Sequence, residues 1–97
     1  MERIKKYFST ELSYSNVIRI YKDLKKSKQI ELLRFFKAVV FCACANKDFG
    51  RYYTPDEYFA PHVYENTTLE YSFNRFKIDR EESTLFGFKL KDYLGKY

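Results

Sequence analysis

His62 is the one histidine in the chain, so any Ser-His or Cys-His catalytic pair would depend on it. It lies in Ala60-Pro61-His62-Val63 with no nucleophile signature beside it, and a packed or surface histidine is favoured over a general base. Cys42-Ala43-Cys44 is the other pattern with chemical potential. On a helix the two thiols point about 200° apart, which suits neither one metal nor a disulfide. On a strand they share a face, but His62 is then the only obvious further soft ligand, and a structural zinc takes about four. Buried reduced thiols, acting as small hydrophobes, are the favoured reading. Asp56-Glu57 and Glu81-Glu82 have local work as cap and turn residues, and no dry setting is evident for carboxylate catalysis. The 3 glycines lie too far apart to form a phosphate loop. No metal or cofactor is expected, and an enzyme is the least favoured class.

Binding chemistry has more to work with. The net charge is +5, and it is unevenly placed. Residues 1–37 hold ten Lys and Arg against four acids, whereas residues 38–97 hold eight against nine. Arg19, Lys22, Lys25, Lys26 and Lys28, with Arg34 and Lys37 beyond, are the cations that could neutralise phosphates. A solvated helix face is the competing reading, and the charge asymmetry tips the balance towards binding. A second candidate is Phe49-Gly50-Arg51-Tyr52-Tyr53, followed by Tyr58 and Phe59. Rings beside Arg51 could stack on unpaired bases, with Tyr52 and Tyr53 as platforms. Core aromatics or a tyrosine-rich protein interface are favoured there, because no ribonucleoprotein-type motif accompanies the rings.

These residues need elements to hold them. At 97 residues the chain suits one domain, residues 1–97, with a single core. Ten Phe and ten Tyr, with no Trp, predict a core built largely of rings, with some tyrosines left at the surface. The organising stretch is residues 28–46, KQIELLRFFKAVVFCACAN, polar-interrupted in its first half and apolar throughout 38–45. That pattern predicts a central helix that starts at a surface and ends inside the core. AVVFCAC would also suit a buried strand, and periodicity leaves both open.

Before it, Ile4, Tyr7 and Phe8 predict a short helical lead-in over residues 2–8. From Asn16 onward, Val17, Ile20, Tyr21 and Leu24 fall within about 100° of arc, with Arg19, Lys22 and Lys26 opposite. Ser27 reads as the cap of the following helix, across a tight connection. Thr54-Pro55-Asp56-Glu57 reads as a capping box that opens a short helix, closed by Pro61, with a further turn over 61–65. Leu69, Tyr71 and Phe73 alternate with polar residues before the phase slips to Phe76 and Ile78. That predicts a strand with a bulge near Asn74-Arg75. After a polar turn over 79–83, Phe86, Phe88 and Leu90 predict the returning strand of a hairpin, and residues 92–95 a closing turn.

The expected class is therefore α+β: mainly helical through the N-terminal two-thirds, with a C-terminal β-hairpin. That order resembles the winged helix-turn-helix family, in which a hairpin wing follows the recognition helix; the resemblance is one of element order and rests on no family motif. It implies a DNA-binding or RNA-binding role only by analogy of fold.

No apolar segment follows MERIKKYF, and the longest apolar run is the eight residues 38–45, so neither a targeting signal nor a membrane span is expected. The expectation is a cytoplasmic protein with reduced Cys42 and Cys44 and an idle sequon at Asn66. Phe, Tyr, Met, Ile, Asn and Lys make up 42 of the 97 residues, a bias fitting an AT-rich genome such as a low-GC bacterium, its phages or mobile elements, or a virus. The leading reading is a small non-catalytic protein that engages nucleic acid, single- or double-stranded, through a basic N-terminal helical face. The alternative is a phage or mobile-element inhibitor or adaptor that docks on an acidic or nucleic-acid-binding host protein. A homodimer through the aromatic residues also stays open.

Overall fold

Residues 2–49, 68–80 and 88–93 are described by a computed structural model. Their order is α1 (Glu2–Lys5), α2 (Tyr14–Lys26), α3 (Ile30–Phe49), α4 (Leu69–Arg75) and a 3-10 turn, Leu90–Asp92. All of these elements are helical, and no strand occurs among the described residues.

Ser13, in extended backbone, caps α2 by accepting the Asn16 N–H at 3.2 Å. Val17, Ile20 and Leu24 are fully buried along one side of α2. The α2–α3 connection departs from the expectation for Ser27, which closes α2 instead of capping α3. Lys28 N–H reaches Lys25 C=O at 3.1 Å and Gln29 N–H reaches Leu24 C=O at 3.0 Å. This pair of bonds is the Schellman closure, and it puts Lys28 in the left-handed region at φ 57°. Lys28 is thus consumed by the turn, and the next helix starts two residues later, at Ile30.

AVVFCAC is helical, the middle of a 20-residue α3 about 30 Å long. Every residue from 38 to 46 is buried, which is what an all-round apolar segment requires. Cys42 and Cys44 are both buried, and neither is in a disulfide. No helix among the described residues is long and apolar enough to cross a membrane.

The predicted strand over 69–78 is a helix, α4, followed by a turn. Thr68 Oγ1 accepts the Tyr71 N–H at 3.0 Å, Glu70 sits in the first turn and Arg75 in the last. Leu69, Ser72 and Phe73 are buried, a helical spacing that shares two positions with the alternating pattern. Phe76 follows, packed edge-on to Phe41 of α3 at 5.2 Å while Tyr71 stacks on Phe41 at 6.2 Å. The phase slip near Asn74-Arg75 is therefore the end of a helix and no bulge. A second Schellman closure ends α4, with Lys77 N–H on Asn74 C=O, Ile78 N–H on Phe73 C=O, and Lys77 at φ 52°.

The returning strand is also corrected where it is described. Lys89 forms an isolated antiparallel bridge to Glu11, and Leu90 already belongs to the 3-10 turn. Leu12 N–H to Phe88 C=O (3.0 Å), Leu90 N–H to Thr10 C=O (3.2 Å) and Lys91 N–H to Phe8 C=O (3.0 Å) pair this segment with the α1–α2 connection and not with residues 69–78. The winged-helix resemblance fails on this point, because a helix stands where the wing's first arm was expected. The capping box at 54–57, the turn at 61–65 and most of the 79–83 turn lie outside the described residues.

The core gathers Ile4, Leu12, Val17, Ile20, Leu24, Phe36, Val39 and Val40 with Leu90 from the C-terminal segment. Asn46, buried at the inner end of α3, donates to the Tyr93 hydroxyl at 3.2 Å, so both polar groups are satisfied.

Candidate nucleic-acid interface

At about 100° per residue, Arg19, Lys22 and Lys26 occupy about 60° of arc on α2, directly opposite the Val17, Ile20 and Leu24 side. All three are exposed. Arg19 is steadied from below: its Nη2 donates to Asn16 Oδ1 at 3.2 Å, and its guanidinium lies 5.8 Å from the centre of the Tyr7 ring. Lys25 and Lys28 are exposed at the α2–α3 corner, with the Lys25 ammonium 5.9 Å from the Tyr21 ring centre.

The local acid does not quench this face. Asp23 is the one carboxylate within α2, and it turns towards α1. There it accepts from the Tyr7 hydroxyl and pairs with Lys6 Nζ at 3.0 Å. Burial and the bond to Asp23 hold the Tyr7 hydroxyl above its ordinary 10.0, so this link stays protonated through neutral pH. Among the described residues no carboxylate lies within ion-pair distance of Lys22, Lys25, Lys26 or Lys28. Lys25 and Lys26 also stand in the last turn of α2, where a cation steadies the helix dipole by about 0.3–1 kcal/mol. Arg19 and Lys22 stand mid-helix and have no such role.

The two cations predicted on α3 lie on that helix at Arg34 and Lys37. Arg34 is exposed near the start of α3, and Lys37, half-buried, lines a concavity of about 250 Å³ with Tyr14, Ile18, Tyr21, Thr68, Leu69, Glu70 and Phe73. Arg51, Tyr52 and Tyr53 lie outside the described residues, as does His62. The sequence reading did not single out Tyr14, Ile18 and Tyr21 as one wall. Their i, i+4, i+7 spacing beside the core stripe was the available signal. Nor did it find Arg80, which donates to Glu70 Oε1 at 2.7 Å and lies 5.8 Å from the Tyr14 ring centre. That bond and the arginine's charge hold the Glu70 carboxyl below its ordinary 4.5.

Among the described residues no group of three or more His, Cys, Asp or Glu side chains could hold a metal. Burial pushes the Cys44 thiol up to about 12, the setting of a structural cysteine and the opposite of a nucleophile's. No protein-family model, curated protein or solved structure matches the chain.

Proposed function

We propose that this is a small non-catalytic domain that binds nucleic acid through the outer face of α2 and the α2–α3 corner. One observation carries the reading: the only carboxylate of α2 is spent on Lys6 and Tyr7, leaving Arg19, Lys22 and Lys26 aligned on the solvent side with Lys25 and Lys28 beside them. A rigid helix presenting unneutralised cations at one-turn spacing is suited to phosphates along a backbone. Each phosphate engaged releases counterions, so affinity falls as salt rises. Five contacts on duplex give a slope of log K against log salt of about −4.5, and on a single strand about −3.5. Fluorescence anisotropy of labelled oligonucleotides at two or more salt concentrations tests this directly. Absence of salt-sensitive binding at low salt overturns it, and so does a pulled-down protein partner that survives nuclease treatment in the absence of oligonucleotide binding.

A further inference from the structure

The concavity between α2, α3 and α4 lies next to the basic stripe and is built of different material. Going round α2 at about 100° per residue, Lys22 is followed by Ile18, Lys25, Tyr14 and Tyr21 within about 100° of arc. The charged face thus grades into an aromatic wall. Tyr14 and Tyr21 form that wall, and the buried Phe73 closes it with its ring centre 5.1 Å from that of Tyr14. Lys37 enters the lining from α3, and Lys25 stands over the Tyr21 ring. Among the described lining residues the one acid, Glu70, is paired with Arg80 at 2.7 Å, which leaves the Lys37 ammonium as the unmatched charge of that set. At about 250 Å³ the space is below the roughly 300–1,000 Å³ of drug-sized sites, and it suits one planar ring system.

We infer that the concavity receives one unpaired nucleobase of a single strand, whose phosphates track Lys25 and the Arg19–Lys22–Lys26 stripe. This deepens the nucleic-acid reading and rests on it. Stacking platforms beside an electrostatic track are how single strands are held without sequence readout. A paired base cannot enter, so the protein favours single strands over duplex despite the steeper counterion release that duplex offers.

The test compares one labelled oligonucleotide, single-stranded and annealed, at matched salt, and adds a single-stranded version carrying 2-aminopurine. Tighter single-strand binding, together with quenching of 2-aminopurine emission on the wild-type protein, is the expected result. Tyr21→Ala should weaken single-strand binding about 5- to 100-fold and abolish the quenching, while Tyr21→Phe keeps both. The wild-type comparison needs no variant, so it stands even if Tyr21→Ala folds poorly. Equal binding of single strand and duplex with unchanged 2-aminopurine emission overturns the base site and leaves the phosphate face intact. Binding of a free mononucleotide as tight as that of the strand overturns it as well. No binding of either strand form overturns both readings together.

Discussion

Lys28 and Lys77 occupy the same kind of position, the left-handed residue that closes a helix, where glycine is the usual choice. A Cβ in that region costs about 1–2 kcal/mol, and glycine's looser unfolded chain returns part of it. Lys77→Gly should therefore raise stability by up to about 1 kcal/mol in urea denaturation, without changing oligonucleotide binding. Lys77→Ala, which keeps the Cβ, should show no such gain, and a destabilised glycine variant contradicts the reading. Lys28 offers the informative contrast, because there the strained residue also carries a charge proposed to meet phosphate.

A second residue-scale prediction concerns Cys44. Its thiol, held near 12 by burial against an ordinary 9.0, keeps a proton that the unfolded chain releases above about pH 9. The folded-state pKa is raised, so this contribution is intact below about pH 9 and is lost as pH rises towards 12. Between pH 8 and pH 10 the loss amounts to about 1 kcal/mol. Urea midpoints of wild type and Cys44→Ala at those two pH values check it: the wild type should lose more. An equal loss in both proteins contradicts it.

At the scale of elements, α2 and α3 were legible because their apolar residues repeat at helical spacing over three turns or more. The 38–45 run could not by itself decide between helix and strand. Its continuity with the amphipathic 30–37 segment decides it, since within one 20-residue helix the backbone groups of 38–45 find intrahelical partners and need no partner strand. α4 was illegible for a different reason. Over seven residues, Leu69 and Phe73 fit both a period of two and a period of 3.6, and Tyr71, half exposed in the helix, completed the strand pattern. Thr68 as cap and Glu70 and Arg75 at the two ends were the discriminating signals. Thr68→Ala therefore tests the correction: losing the bond to the Tyr71 N–H should cost about 1 kcal/mol in chemical denaturation, and a strand would feel nothing. Of the site, the stripe on α2 followed from periodicity alone. The concavity did not, because it is assembled from three elements, one of them read in the wrong class.

For the whole molecule, the C-terminal segment matters more than its length suggests. Residues 88–93 lie against the α1–α2 connection, bury Leu90 completely and receive the Asn46 bond at Tyr93. Nothing local in the sequence joins residue 90 to residue 10, which is why the pairing was assigned to a hairpin instead. Leu90→Ala should cost about 2–5 kcal/mol in urea denaturation, a core-sized effect from a residue seven positions from the last one. A loss below about 1 kcal/mol contradicts the packing. The molecule thus places its apolar material under α2 and leaves the outer face of that helix to solvent and charge. The most direct test of what that face does is the salt dependence of single-strand binding for wild type and for Lys22→Ala/Lys26→Ala. Both lysines are exposed, so the double variant should stay within about 1 kcal/mol of wild-type stability. Its slope of log K against log salt should be shallower by about 1.4, the share of two phosphate contacts on a single strand. An unchanged affinity and slope in a folded double variant contradicts the assignment of the α2 face to nucleic acid.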